Sequence, residues 1–385
     1  VIAIVFDPHC WPHKRFGGEL KHGINRRGQL TLQTLNRAVA IANEHDAELV
    51  VAGDLIDSAG PVQPQFAARL RNELAHCCNS VSLMLGNHDQ TADGDHSLGI
   101  YESAQASVVD EINYWYNNGG LYGVRLSGPP DAIFMPFNAD LRDSKVRDCP
   151  LLIGHFGVYD DAFPPWLKSS KGAWHVDALF EFMKERNINC VLAGDWHSRN
   201  VWFKENERIV RVREDERDQM LREDRLPPHQ GFGLKYESPL IMQGGALCPT
   251  GWDNPGLHGY GTVALWDGER LNWQELPGPR FCTVHSDEEE AATIAEAAQL
   301  GHNLFLRRFY QGKRPQRPSG VEAYEALPQA IESAARKAVQ ATTRVHLGIE
   351  AQAITRLIQE WVCQIERTDG LEYAEAVEQL IKEYT

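Results

Sequence analysis

The chain has 385 residues, 43% of them hydrophobic, and a formal net charge of −15. This length carries one large core plus one or two smaller units, and the acidic balance speaks against a general nucleic-acid coat protein but not against a nuclease with local phosphate contacts. No apolar run approaches a membrane span, and the first strand starts too early for a signal peptide. The eight cysteines are scattered without a CxxC pair, which gives neither a zinc ribbon nor a disulfide framework, so the expected compartment is a reducing cytoplasm.

Residues 1–6 read as a strand that runs into Asp7-Pro8-His9, with Cys10 as a small buried filler. The loop from there to about Gly28 carries Lys14, Arg15, Lys21, Arg26 and Arg27 against the single acid Glu19, with Trp11 and Phe16 interleaved. A loop leaving such a strand lies at the rim of any site there. Its charge suits the backbone phosphates of a polymer, and the alternative is a solvated, flexible loop. Leu32, Leu35, Val39 and Ala42 give residues 29–45 an amphipathic helical spacing. A second strand, 48–52, leads into Gly53-Asp54 and then Asp57. After a helix over 63–75, residues 80–85 form a third strand and stop at Gly86-Asn87-His88-Asp89. Residues 1–89 are thus β-α-β-α-β, which implies parallel strands with right-handed crossovers.

Residues 90–130 give no clear pattern. Strands follow at 132–136 and 151–153, the latter ending in Gly154-His155. A helix is expected over 174–186, with Trp174, Leu179, Phe182 and Met183 on its core face, and a strand at 190–193 ends in Gly194-Asp195-Trp196-His197. Acids and bases alternate over 204–225, as in a solvated surface element. A strand at 239–245 and a hairpin at 262–276 around Asp267-Gly268 lead to a boundary at Pro277-Gly278-Pro279. Beyond it come a strand at 281–284, a helix over 288–299 and a second basic cluster: residues 303–321 hold no acid but carry Arg307, Arg308, Lys313, Arg314 and Arg317. Residues 322–385 are read as helical, with an apolar stripe through Leu327, Ile331, Ala335, Ile358, Trp361 and Ile365. Such a stripe must be covered, by a partner or by packing back on the neighbouring cap.

Five strand-like runs therefore end in Asp, Asn or His. Each end alone is an ordinary turn, since Gly, Asn and Asp are turn formers. Together they point to one site, because the carboxyl ends of strands in open sheets are where sites gather. Oxygen and imidazole donors without cysteine suit manganese, iron, zinc or magnesium. The donors are too many for one ion, so two ions sharing a carboxylate is the economical reading; such a pair clamps a phosphate and activates water. His88, beside a ligand, is placed to protonate the leaving oxygen.

Asp7-x-His9, Gly53-Asp54, Gly86-Asn87-His88-Asp89, Gly154-His155 and Gly194-Asp195-x-His197 resemble, in order, the five motifs of calcineurin-like metallophosphoesterases. Within that superfamily the chain resembles SbcD-type DNA double-strand-break repair nucleases. The features are the basic loop, the segment Gly53-Asp54-Leu55-Ile56-Asp57, and the strand at 241–245 followed by a hairpin and Pro279-Arg280. The resemblance implies an α/β fold: a metallophosphoesterase β-sandwich flanked by helices, with a small α+β cap and C-terminal helices. It divides the chain into a nuclease domain at 1–279, a DNA-capping domain at 280–321 and a helical partner-binding segment at 322–385. It places one metal on Asp7, His9, Asp54 and His197, and the other on Asp54, Asn87 and His155. His88 is the acid and Asp57 a supporting residue. The family has His where this chain has Asp195, which still offers a carboxylate to a hard cation. The ions implied are two divalent cations, manganese first, with magnesium, iron or zinc as alternatives. The implied activity is exonuclease and endonuclease cleavage of DNA, with phosphate contacts from Lys14, Arg15, Lys21, Arg26, Arg27, Arg307 and Arg308. The implied partners are DNA, an SbcC-type SMC-like ATPase bound by the C-terminal helices, and a second copy of the chain; no membrane is involved. The competing readings are a phosphoesterase on nucleotides or small phosphates, and a non-catalytic binding subunit on the same scaffold.

Overall fold

The structure, a computed structural model, describes residues 1–333 apart from 92, 116–130, 141, 144–145, 147, 164–171, 206–207, 214–238, 253–254 and 269–270. The chain divides into two compact units, Val1–Pro249 with Leu257–Pro279, and Thr250–Gly256 with the residues from Arg280 onward. The main elements in chain order are β1 (Ile2–Val5), α1 (Arg26–Glu44), β2 (Glu48–Ala52), α2 (Pro64–Ala75), β3 (Val81–Met84), β4 (Ala106–Val109), β5 (Asn113–Trp115), β6 (Ala132–Met135) and β7 (Leu151–Gly154). There follow α3 (Val176–Glu185), β8 (Cys190–Ala193), β9 (Asn200–Glu205), β10 (Arg208–Arg213), β11 (Leu240–Gln243), β12 (Thr262–Trp266), β13 (Leu271–Glu275), β14 (Pro279–Val284), α4 (Asp287–Gln299), β15 (Asn303–Tyr310) and β16 (Ala323–Pro328).

The first unit is a two-sheet sandwich. One sheet has the order β13-β12-β1-β2-β3-β4 and the other β10-β9-β11-β8-β7-β6-β5. Strands β1 to β4 run parallel, as do β6, β7, β8 and β11. The period-two alternation of a strand decides which layer each side chain joins. Ile2, Ile4, Val50 and Met84 from the first sheet pack with Phe134, Ile153, Leu192 and Met242 from the second. The intervening residues Ala3, Val5, Leu49, Val51 and Leu83 pack with Leu35 and Val39 of α1 and Phe66 and Leu70 of α2. On the outer face of the second sheet, Leu152, Val191 and Ile241 meet Leu179, Phe180 and Met183 of α3. Both faces of these strands are buried, which is why they read as continuous apolar runs.

The helix boundaries follow from caps. Asn25 precedes α1, and its Oδ1 accepts from Gly28 N at 2.8 Å, satisfying one of the orphan first-turn donors. His175 caps α3 through Nδ1, which accepts from Asp177 N at 3.2 Å. Helix α3 is therefore shorter than expected: Trp174 and His175 pair in parallel with Val158 and Tyr159 before it starts. Part of the charged stretch expected as a plain surface element is the hairpin β9–β10, added antiparallel to β11 at the sheet edge; 214–225 lie outside the described residues.

The second unit holds a three-stranded sheet in the order β14-β15-β16, with α4. Ser286 Oγ caps α4 on Glu289 N at 3.1 Å, and four acids, Asp287 to Glu290, fill its first turn, where the helix dipole favours negative charge. Here the expected helical segment at 322–385 is corrected at its start. Ala323–Pro328 is a strand paired in parallel with β15, from Phe305↔Ala323 to Tyr310↔Pro328, so the expected break at 321/322 falls within one sheet. The long-range ladder supplies backbone partners that local apolar spacing cannot reveal. Helix resumes over 329–333, and the rest of the stripe, including Ile358, Trp361 and Ile365, lies outside the described residues. No helix among the described residues is long and apolar enough to cross a membrane.

Candidate metal centre

Five strand ends of the first unit carry the site. Four of its residues leave their strands with left-handed backbone: Asp7 (φ 44°), His9 (φ 42°), Asp54 (φ 50°) and Asp195 (φ 80°). Asp and His tolerate this region better than most side chains, and strained backbone of this kind gathers at functional sites. Two glycines are required by close approach. A Cβ on Gly53 would lie 1.9 Å from His155 Nδ1, and one on Gly86 would lie 2.0 Å from Asp54 Oδ1.

The donors form two overlapping groups. His9 Nε2 and His197 Nε2 are 2.8 Å apart, and ligand atoms of Asp7, His9 and His197 all lie within 4.8 Å of one another. Asp54 Oδ2 is 3.8 Å from His9 Nε2 and 3.5 Å from His155 Nε2, so one carboxylate reaches both groups. His155 Nε2 is also 3.9 Å from Asp195 Oδ1 and 2.9 Å from the inward end of the Asn87 amide. That amide end is 3.0 Å from Asp54 Oδ2. A nitrogen there donates to Asp54; an oxygen there faces another acceptor, an arrangement that a cation between them reconciles.

Backing groups fix the histidine tautomers. His155 Nδ1 donates to Ala52 O at 3.0 Å, which leaves Nε2 as the ligating nitrogen. His9 Nδ1 lies 3.2 Å from Asp57 Oδ1, and Asp57 Oδ2 lies 3.5 Å from His13 Nδ1. His88 Nδ1 donates to Asp57 O at 2.9 Å, so its Nε2 is the nitrogen left for proton transfer, while His88 N donates to Asp54 Oδ1 at 2.8 Å.

The electrostatics favour bound cations. Asp7 Oδ2 is buried without a hydrogen-bond partner. Burial lowers the pKa of His9, but the hydrogen bond to Asp57 and the charges of Asp54, Asp57 and Asp7 push it up to about 9. Burial likewise opposes the charged form of His155, and the charges of Asp54, Asp7 and Asp195 outweigh it, holding its pKa well above the ordinary value. Burial raises Asp195 to about 6, with repulsion from Asp7 and Asp54 added and His155 opposing. Buried, mutually repelling carboxylates with tautomer-fixed imidazoles make a sink for positive charge, and oxygen and nitrogen donors of this kind fit a pair of divalent cations.

The structure thus brings together Asp7, His9, Asp54, Asn87, His155, Asp195 and His197, with His88 beside them. Other residues serve the site without having been singled out from sequence. Asp89 is fully buried; its Oδ1 accepts from Ile56 N at 3.1 Å and its Oδ2 from Gly86 N at 2.9 Å, tying two ligand turns together. Burial, with the Asp54 charge, pushes its carboxyl up to about 7. Gln243 Nε2 holds the last ligand turn through Trp196 O at 2.7 Å. The fourth residue of the Gly86–Asp89 motif was the available signal for Asp89; Gln243 gave none.

The basic residues divide. Lys14, Arg15 and Lys21 are exposed and Arg26 is half-buried. Three others are corrected. Arg27 is 3% exposed and donates from Nη1 to Arg15 O at 3.1 Å, so it braces the loop. In the second unit Arg307 is 1% exposed, with Nε on Glu325 at 2.8 Å and its guanidinium 4.5 Å from the Trp252 ring centroid. Arg308 is also buried and donates to Asp287 Oδ1 at 3.1 Å. These three are engaged within the chain because carboxylates, carbonyls and rings surround them.

A solved metallophosphoesterase from Sphaerobacter thermophilus is similar over 78% of this chain and 94% of its own, at 14% identity and a TM-score of 0.29. No curated protein matches. The model for the calcineurin-like phosphoesterases matches residues 2–199, just over half of the chain and the span that holds every donor described above. The chain therefore belongs to the calcineurin-like phosphoesterase family.

Proposed function

We propose that this phosphoesterase is a DNA nuclease of the SbcD type, a phosphodiesterase with exonuclease and endonuclease action, manganese-preferring and cytoplasmic. In this reading it acts in DNA end processing with an SbcC-type SMC-like ATPase docked on the C-terminal helices. The observation that carries the polymer reading is the tie between the basic loop and the metal centre. His9 and His13 share Asp57, at 3.2 and 3.5 Å, and the loop is closed by Asn25 Nδ2 on His13 O at 2.8 Å and Arg27 N on Gly17 O at 3.1 Å. A braced loop that starts at the ligands and exposes Lys14, Arg15 and Lys21 gives a polyanion contacts beyond the scissile phosphate. A small phosphate ester needs no such surface.

When bound, the cations supply Lewis acidity and an activated water. The protein's own part is orientation and proton transfer. Asp57 O fixes His88 so that Nε2 presents a proton to the leaving oxygen, and Asp54 holds the His88 backbone in place. His88→Ala should keep its metal and lose a hundredfold or more in diester hydrolysis. The test of the function is cleavage of end-labelled linear DNA with manganese or magnesium, beside methyl p-nitrophenyl phosphate. Metal-dependent shortening of DNA is expected. Turnover of the small diester with intact DNA would refute the nuclease reading.

A further inference from the structure

We propose that the two metal positions differ in chemical hardness and that Asp195 sets the difference; this rests on the two-metal reading above. Around the first position stand two imidazoles, His9 and His197, with the carboxylates Asp7 and Asp54. Around the second, one imidazole nitrogen, His155 Nε2, is met by Asp54 Oδ2 at 3.5 Å, the Asn87 amide at 2.9 Å and Asp195 Oδ1 at 3.9 Å. Two donors each ~2.1 Å from one ion stand at most ~4.2 Å apart, and all three separations lie inside that span. The first set is two nitrogens and two carboxylates. The second is one nitrogen with an amide and the carboxylates of Asp54 and Asp195, and a ligand atom of Asp7 also lies within 4.8 Å of those of Asp54 and His155.

Imidazole suits zinc and other borderline metals, whereas carboxylate and amide oxygens suit magnesium, manganese and calcium. The second position is therefore the harder one. Asp195 is built into it. Its backbone is left-handed at φ 80°, its N–H is held by Asp7 Oδ1 at 3.0 Å, and its side chain is only 13% exposed. His155 has no second lone pair to add, because its Nδ1 donates to Ala52 O. The balance between nitrogen and oxygen at this position thus turns on residue 195.

The test is displacement of manganese by zinc from the full chain. The protein is loaded with Mn2+, exposed to buffered free Zn2+, and released Mn2+ is followed by electron paramagnetic resonance. Wild type should release manganese in two steps tenfold or more apart in free zinc. Asp195→His should bring the second step toward the first by tenfold or more. Asp195→Asn, which keeps an oxygen donor, should leave the steps separate and guards against a misfolded histidine variant. A single step in wild type, or unmoved steps in Asp195→His, overturns the inequality. Fewer than two manganese ions bound per chain overturns the two-metal reading beneath it.

Discussion

Two arginine-containing segments of this chain look alike in sequence and end in opposite situations. Residues 10–28 expose Lys14, Arg15 and Lys21 on a loop braced by backbone and side-chain bonds. In β15, Arg307 and Arg308 are turned inward, onto Glu325 and Asp287. What separates them is the strand beside the second segment: β16 brings Glu325 opposite Arg307 in register. In β15 it is this delivered carboxylate, with Arg307 buried beside it, that takes the guanidinium out of reach of a phosphate.

Arg307→Ala should have the largest effect on stability. It leaves Glu325, 17% exposed, without its guanidinium, and breaking such a pair costs about 3 kcal/mol. Denaturant unfolding of the full chain should show this loss in one transition; a change under 1 kcal/mol would mean that the inward pairing contributes little. Reversing Lys14, Arg15 and Lys21 to Glu should act on DNA instead. DNA cleavage at moderate salt is expected to fall tenfold or more, and the salt slope of binding to shrink by about 0.9 for each phosphate no longer neutralised, with stability within about 0.5 kcal/mol of wild type. Equal losses on DNA and on a small diester would erase the contrast between the segments. Arg308→Ala should have the smallest effect, under about 1 kcal/mol, because its partner Asp287 is 91% exposed and solvent screens the pair.

The site was legible because its signals are local. A buried parallel strand is a short apolar run, and its end is marked by Gly with Asp, Asn or His, as at Gly53-Asp54 and Gly154-His155. The residues that support the site were less visible, since Asp89 reaches Ile56 N and Gln243 reaches Trp196 O, backbone groups far away in sequence. The same holds for the fold. The sandwich strands are short apolar runs and could be anticipated, whereas the docking of the β9–β10 hairpin on β11 and the pairing of β16 with β15 depend on partners outside those segments. Leu327 and Ile331 have helical spacing, but Leu327 lies in β16 and only Ile331 in the helical residues that follow. Charge on Arg27, Arg307 and Arg308 was visible, but burial was not.

The central claim is that Asp54 joins two metal positions into one centre, and the most direct measurement is the metal content per chain of wild type and Asp54→Asn after equilibration with manganese. Two ions in wild type, falling to one or fewer in the variant together with diester hydrolysis, is the predicted result. Unchanged occupancy in Asp54→Asn would contradict it.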